Sequence, residues 1–205
     1  MNKSIIDWAK QAIAIEKEAV ANLAAQVDEQ FAEAVQTIYE STGRVIVSGI
    51  GKSAIVAQKI AATLNSTGTP SFFLHAAEAT HGDLGMIQNG DIVMILSKSG
   101  ESAEIKILSS LVRSLGNKIV AITGNTQSYL AKQSDLVINS FVQKEACRNN
   151  LAPTSSTTVQ MVLGDAIAVC LIELRDFSAA DFARLHPGGN LGKRLYLKIA
   201  DIYKH

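Results

Sequence analysis

The chain has 205 residues, enough for one globular domain with a sizeable core and short extensions. Its 19 basic and 19 acidic side chains give zero net charge without any basic tract, so nucleic acid is not expected as a partner. The two cysteines fit a reducing compartment, and no signal-peptide core or apolar run of about 20 residues is present, which predicts a cytoplasmic protein with no membrane span.

Residues 4–41 predict one long helix or two helices in series, because apolar residues recur there at spacings of three, four or seven. The residues of this stripe are Ile6, Ile13, Val20, Leu23, Val27, Phe31, Val35 and Ile38. An arm of this kind needs something to cover its apolar stripe, and a second subunit is expected to do so. We therefore divide the chain into an N-terminal helical arm, residues 1–43, and the remainder of the same domain, residues 44–205.

From Arg44 onward, short β-rich runs alternate with helical patterns. Strands are predicted at 45–47, 71–74, 92–96, 118–122 and 136–139. Helices are predicted at 53–67, at 103–115, from about residue 128, and at 154–175. This alternation predicts an α/β fold with a five-stranded parallel sheet flanked by helices. Ligands in such folds bind at the carboxyl ends of the strands.

The segment from Asp91 to Ser102 predicts an anion site, because a fully apolar strand runs directly into hydroxyl side chains and then a helix. The start of a helix offers free N–H groups and the positive end of its dipole. The predicted ligand-binding residues are Ser97, Ser99, Gly100 and Ser102, which suit the phosphate of a small phosphorylated molecule. Glu104 lies in the first helical turn, and its spacing fits a functional acid as well as an acid that complements the helix dipole.

The segment SGIGKS, residues 48–53, follows the first strand but does not complete a nucleotide-binding motif. A P-loop would need glycine where Ile46 stands. The dinucleotide pattern is satisfied by Gly49, Gly51 and Ala54, but the acid expected near the end of the second strand is replaced by His75. We nevertheless predict ligand contact, because the glycines allow close backbone approach and a lysine at a helix start opposes the dipole. The predicted contacts are Gly49, Gly51, Lys52 and Ser53.

Three more polar segments are candidates for function. His75 and His81 lie between the second and third strands, where they could hold a metal ion or bind sugar hydroxyls, although their spacing matches no standard zinc pattern. Glu145 follows the fifth strand and taken alone would be a solvated acid. His186 precedes a rigid Pro-Gly-Gly turn, and Cys147 lacks an activating base and is interpreted as structural.

Eight segments form a series along the chain: GIGKSA, STGTPSFFLHAAEATHGDLGM, LSKSGESAEI, ITGN, KEAC, LAPTSSTT, GDA and HPGGNLGK. In this order they resemble the D-arabinose-5-phosphate isomerases of the sugar-isomerase (SIS) superfamily. The resemblance implies a flavodoxin-like three-layer SIS domain. It also implies interconversion of D-ribulose 5-phosphate and D-arabinose 5-phosphate through an enediolate, for octulosonate (Kdo) synthesis in lipopolysaccharide or capsule production. A non-catalytic sugar-phosphate regulator and an isomerase for another phosphosugar are the alternatives.

The resemblance also implies roles for individual residues. The catalytic positions fall on Lys52, Glu104, Glu145 and His186, and either glutamate can serve as the general base. Substrate contacts fall near Gly68, Thr69, His75 and His81. Thr154, Ser155 and Ser156, at the start of the last long helix, are expected to share in binding the phosphate. His75 also occupies a position associated with a metal ion, which the chemistry does not require, so no cofactor is expected.

Two departures from the family pattern concern regulation and charge. Many relatives carry a C-terminal pair of cystathionine-β-synthase-type modules, whereas this chain ends at His205, so we expect a single-domain form whose regulation is absent or relocated. A cytidylated octulosonate is then a candidate inhibitor at the active site. The family implies a homo-oligomer, a tetramer built as a dimer of dimers, in which His186 serves a neighbouring subunit's site. Lys98 stands where relatives often have asparagine, either close to the phosphate or facing solvent.

Overall fold

Five apolar runs form one parallel sheet in the computed structural model, which describes residues 2–187 of the chain. The strands are β1 (Val45–Gly49), β2 (Ser71–His75), β3 (Ile92–Ser97), β4 (Lys118–Thr123) and β5 (Leu136–Asn139). Their order is β2-β1-β3-β4-β5, which confirms the predicted five-stranded parallel sheet. The order reverses between β1 and β3, so the carboxyl ends of these two strands border the crevice where such folds bind ligands.

Seven α-helices surround the sheet in the described part of the chain. They are α1 (Asn2–Leu23), α2 (Glu29–Glu40), α3 (Lys52–Ser66), α4 (Ala103–Ser114), α5 (Tyr129–Gln133), α6 (Ser155–Leu174) and α7 (Ala179–Leu185). The N-terminal residues thus form two helices, and the second begins where the Asp28 side chain accepts a hydrogen bond from the Phe31 N–H at 3.2 Å.

Three short elements were not predicted. The 3₁₀ helices Glu78–His81 and Asp83–Met86 each contain four residues, too few to show a periodic pattern. α7 contains only seven residues, but its start carries a capping box between Ser178 and Asp181 that could have indicated it. Most of the elements that were predicted correctly are apolar runs or longer helical patterns bounded by turn residues.

The strand side chains alternate between two apolar layers, one on each face of the sheet. One layer joins the sheet to α2, α3 and α6 through residues such as Val47, Met94 and Ile122. The other joins it to α4 and α5 through residues such as Ile46 and Ile95. Because strands covered on both faces bury every side chain, they read as continuous apolar runs rather than as alternating ones.

α6 is the one helix within residues 2–187 that is long and apolar enough to cross a membrane by length and composition. Its residues Val159, Leu163, Ile167 and Leu171 are buried and recur every four positions, which places them on one face of the helix. That face packs in the core beside α3. The apolar character of α6 is therefore accounted for by its position in the core of the domain.

α1 lies along α6 and leaves much of its apolar stripe exposed. Thr158 of α6 donates a hydrogen bond to the Glu16 carboxylate of α1 at 3.0 Å. Ile6, Trp8 and Ile13 are exposed, and Trp8 has 65% of its surface accessible. The stripe is therefore open to a covering subunit, and the identity of that cover stays a prediction.

The contact between α3 and α6 offers a test of this packing. An added Cβ at Gly164 would overlap the Ile60 side chain, so the Gly164→Val variant must push the helices apart. Overpacking of this kind should lower the free energy of unfolding by about 1–3 kcal/mol. The measurement is urea unfolding, with the Ile60→Ala/Gly164→Val double variant as control. The double variant should lose less stability than the sum of the two single changes, and an unchanged stability in Gly164→Val would contradict the packing.

Candidate active site

The loops that follow β1, β2 and β3 meet at the carboxyl edge of the sheet. In the register of the sheet, Gly49 at the end of β1 lies between His75 of β2 and Leu96 of β3. Lys52 begins α3 three residues after the end of β1, and it has an exposed side chain. The strand order therefore brings Lys52 and His75 to the same edge as residues 97–102, which we call the serine loop.

The serine loop is shaped by its own side chains. Ser97 Oγ accepts a hydrogen bond from the Gly100 N–H at 3.0 Å, and Ser99 Oγ accepts one from the Glu101 N–H at 3.2 Å. Gly100 has φ +66°, and an added Cβ would overlap Ser128 Oγ, so only glycine fits this turn. The hydroxyls of Ser97 and Ser99 are thus used as acceptors, and each still has its own proton to donate.

The serine loop ends at a helix start whose donors are open. Ser102 is the N-cap of α4, yet its side chain makes no capping hydrogen bond, and its buried Oγ has no partner within residues 2–187. The first N–H groups of α4 have no acceptor in the helix, and the helix dipole favours an anion beside them. Glu104 lies in this first turn and is half-buried. The arrangement can bind a phosphate through neutral donors, with a carboxylate close by.

Other polar atoms near this edge also lack partners in the described structure. Ser48 Oγ at the end of β1, His75 Nδ1 at the end of β2, and Ser155 Oγ at the start of α6 are buried without a hydrogen bond. A buried polar group without a partner costs about 1–3 kcal/mol, so a cluster of them indicates a site where a polar ligand supplies the missing bonds. Ser48 was missed by the sequence analysis, although a polar residue within a buried apolar strand was a visible signal.

Glu145 is buried, unlike the solvated acid that its loop position alone would indicate. Its side chain is 0% exposed. Oε2 accepts hydrogen bonds from the Thr154 and Ser156 N–H groups at 2.8 and 3.1 Å and from Thr154 Oγ1 at 3.1 Å. Oε1 accepts from Ser156 Oγ at 2.5 Å and from Lys98 Nζ at 2.6 Å. The carboxylate therefore occupies the N-terminus of α6.

The environment of Glu145 keeps it ionised. Burial alone would raise the pKa of Glu145, but the hydrogen bonds from Lys98 and Ser156 and from the N–H groups of α6 lower it to about 2. A carboxylate with this pKa and with every oxygen hydrogen-bonded is a weak base near neutral pH. Of the two glutamates that could serve as general base, Glu104 is therefore the better candidate.

The same contacts correct the prediction for the start of α6. Thr154 and Ser156 were expected to bind the phosphate, but the protein's own carboxylate takes their donors. Ser155 keeps a buried, unpartnered hydroxyl within the described residues. The N-terminus of α4 is therefore the better anion site of the two helices.

Lys98, in the serine loop, forms an ion pair with Glu145 through its ammonium group. The two residues are 47 positions apart, so no local sequence pattern could have shown the pair. Ser53, predicted to contact ligand, instead donates a hydrogen bond to Gln160 Oε1 at 3.0 Å. His81 ends the 3₁₀ helix after β2 and is exposed.

Gly68, Thr69 and His186 do not join this edge within one chain. Gly68 and Thr69 precede β2 at the amino-terminal edge of the sheet, where a Cβ on Gly68 would overlap Phe177. The 20 residues of α6 carry the chain about 30 Å away from Glu145, and α7 is too short to return. One chain therefore does not gather all the predicted residues in one site.

His186 is held by the helix that precedes it. Its ring stacks on Phe182, with ring centroids 3.9 Å apart, and its Nδ1 lies 2.8 Å from the Phe182 carbonyl oxygen. The remainder of the HPGG motif, from Gly188, lies outside the described residues. The expected service of His186 to a neighbouring subunit stays a prediction.

The remaining predictions concern a metal ion at His75 and the thiol of Cys147. Within residues 2–187, no three His, Cys, Asp or Glu side chains are arranged to hold a metal ion, and a metal at His75 stays a prediction. Cys147 Sγ accepts hydrogen bonds from the Leu151 and Ala152 N–H groups at 3.2 and 3.1 Å. The backbone hydrogen bonds from Ala152 and Leu151 lower the pKa of this thiol.

Comparison with known proteins places these features in a family. The family model described as SIS domain matches residues 37–170. Arabinose 5-phosphate isomerase KdsD of Pseudomonas aeruginosa is 51% identical over 98% of this chain, and arabinose 5-phosphate isomerase KpsF of Escherichia coli CFT073 is 48% identical over 98%. The chain spans 62% of the length of each of these relatives.

A solved structure is similar over nearly its full length. The E. coli CFT073 protein c3406 in complex with arabinose 5-phosphate has a TM-score of 0.88 and 41% sequence identity to this chain. The match covers 91% of this chain and 100% of the c3406 chain.

The buried carboxylate predicts a pH dependence of stability. The pKa of Glu145 is about 2 in the folded chain against an ordinary value of 4.5, so its contribution is fully present above about pH 4.5 and is lost as the pH falls toward 2. Glu145→Gln should lower the free energy of unfolding by about 2–3 kcal/mol at pH 7, and by much less at pH 3. Urea unfolding at both pH values measures the difference. Glu173→Gln, at an exposed carboxylate, is the control. An equal loss for Glu145→Gln at pH 7 and pH 3 would contradict the assignment.

Proposed function

We propose, from the premise that this chain belongs to the SIS domain family, that it interconverts D-ribulose 5-phosphate and D-arabinose 5-phosphate. The proposal is supported by the activities for which the relatives are named and by the arabinose 5-phosphate complex of c3406. The single observation that carries the proposal is the arrangement of polar groups at the carboxyl edge of the sheet. There an anion site is formed by the serine loop and the start of α4, with Glu104 in the first turn of that helix and Lys52 at the start of α3 on the same edge of the sheet.

The phosphate end of the substrate binds at the serine loop and the N-terminus of α4. Hydroxyl groups of Ser97, Ser99 and Ser102 and the first N–H groups of α4 supply the hydrogen bonds. This contact is remote from the reacting carbons, and its binding energy orients them against the acid–base groups.

Isomerisation moves a proton between C1 and C2 of the sugar through an enediolate. Glu104 takes the proton from C1 of ribulose 5-phosphate and returns it to C2. The hydroxyl proton on O1 passes to O2 in the same reaction, and His186 of the proposed shared site is the acid–base group that carries it. Lys52 stabilises the negative charge that develops on the enediolate oxygen, where one preorganised donor contributes about 3–4 kcal/mol. His75 and His81, on the loop after β2, contact sugar hydroxyls, and no metal ion is required for these steps.

The wider roles follow from the same proposal. Arabinose 5-phosphate supplies octulosonate (Kdo) synthesis for lipopolysaccharide or capsule, and the enzyme acts in the cytoplasm. A cytidylated octulosonate would inhibit by binding the active site. A non-catalytic sugar-phosphate regulator would need the anion site alone, and the presence of Glu104 in the first turn of α4 and of Lys52 at the same edge of the sheet favours the enzyme.

Turnover in deuterated water tests the proposed reaction. The protein is incubated with D-ribulose 5-phosphate without added metal, and the products are followed by NMR. We expect arabinose 5-phosphate carrying deuterium at C2, because the proton passes through a base that exchanges with solvent. Glu104→Gln keeps the size of the side chain but cannot accept the proton, and should lower kcat by about 100-fold or more.

The matched control for that assay is Glu173→Gln, which changes an exposed carboxylate on α6 and should leave kcat unchanged. Formation of ribose 5-phosphate instead of arabinose 5-phosphate would redirect the proposal to another isomerase. Binding of the sugar phosphate without any turnover would favour the regulator.

We also propose a homo-oligomer, a tetramer built as a dimer of dimers, in which His186 completes the site of a neighbouring subunit. It is supported by the separation of His186 from the serine loop within one chain and by the exposed apolar stripe of α1. Mixed oligomers of Lys52→Met and His186→Ala subunits should recover activity, because some sites then combine two intact contributions. If activity stays at the level of the separate variants although mass spectrometry shows subunit exchange, the proposal of shared sites is contradicted.

A further inference from the structure

We propose that Lys98 is a phosphate-binding residue of this chain and that the buried Glu145 is the positioning residue that holds it in place. The inference rests on the proposed function for the identity of the sugar, but it concerns the phosphate group alone. Glu145 then acts through Lys98, whereas the family resemblance implied a catalytic role for this carboxylate on the substrate.

Exposure separates the two partners. The Glu145 side chain is 0% exposed, whereas the Lys98 side chain is 48% exposed. The carboxylate can therefore reach only its protein partners, and the ammonium group reaches both the carboxylate and the solvent-filled edge of the sheet. Of the two, Lys98 is the residue that a ligand can contact.

Lys98 gives a positive charge to the loop that forms the anion site. Lys98 lies between Ser97 and Ser99 in the same loop. An ammonium group has three donors, and Glu145 Oε1 uses one of them at 2.6 Å. The remaining donors are available to a phosphate oxygen bound against the loop.

Glu145 does not need Lys98 to satisfy its oxygens. Thr154 donates two hydrogen bonds to it and Ser156 donates two more, all from the start of α6. The helix dipole at that end also compensates the negative charge. The ammonium group therefore keeps much of its attraction for a second anion, while its flexible side chain is fixed at one end.

Other cations around the loop are committed elsewhere. Lys106 pairs with the exposed Glu101 at 2.7 Å. Lys52 lies across the crevice at the start of α3, where the proposed reaction uses it. Lys98 is thus the cation of the serine loop itself, and it should make phosphate binding depend on ionic strength where neutral hydroxyls alone would not.

Isothermal titration with two probes tests this assignment. One probe is D-arabinitol 5-phosphate, which lacks a carbonyl group and cannot be isomerised, and the other is inorganic phosphate. Lys98→Met should weaken the binding of both by about 10-fold or more, and should flatten the rise of Kd with sodium chloride concentration. Lys144→Met removes a charge from an exposed lysine next to Glu145 and should change Kd by less than about twofold.

The double variant tests the positioning role. Glu145→Gln should weaken binding less than Lys98→Met, and Lys98→Met/Glu145→Gln should bind no more weakly than Lys98→Met alone, because Glu145 acts through Lys98. Lys98→Met leaves the four hydrogen bonds from the start of α6 to Glu145 in place. Lys98→Met should therefore fold normally, which circular dichroism checks. The test then remains valid even if Glu145→Gln is unstable.

Two results would overturn the proposal. The first is wild-type affinity and salt dependence in Lys98→Met, and the second is additive losses in the double variant, which would place Glu145 on the ligand itself. Neither result depends on turnover, so failure here is distinct from failure of the isomerase assignment. If phosphate binding requires Lys98 but no arabinose 5-phosphate forms from D-ribulose 5-phosphate, the binding role stands and the proposed function falls.

Discussion

The site depends on a carboxylate that the chain supplies to one of its own helices. Glu145 binds the N–H groups and hydroxyls at the start of α6, which in an α/β fold would otherwise attract an external anion. Its occupancy leaves the N-terminus of α4, with the serine loop before it, as the open anion site. The same carboxylate fixes Lys98 and anchors the loop between β5 and α6.

The parallel sheet explains why these parts meet and why others do not. Every strand delivers its following loop to the same edge, so residues separated by 47 positions, such as Lys98 and Glu145, become neighbours. Every covering helix then carries the chain back, and the end of α6 brings Phe177 to the turn at Gly68. One subunit therefore divides the predicted site residues between two edges. That division is the observation behind the proposed site shared between subunits.

Most of the fold could be predicted from the sequence, because the central strands β1, β3 and β4 are buried on both faces and read as apolar runs bounded by turns. The serine loop could also be predicted, since its hydroxyl side chains directly follow the apolar run of β3. The role of Glu145 was not, because its partners lie in α6 and in the serine loop and share no local pattern with it. The position of His186 was hidden for a similar reason, since it depends on the length of α6 and on the packing of its far end.

A crystal structure with D-arabinitol 5-phosphate bound tests this account most directly. The account predicts the phosphate within hydrogen-bond distance of the serine loop and the first N–H groups of α4, with Glu145 still bound to Thr154 and Ser156. A phosphate seated at the N-terminus of α6, with Glu145 displaced from it, would contradict the account.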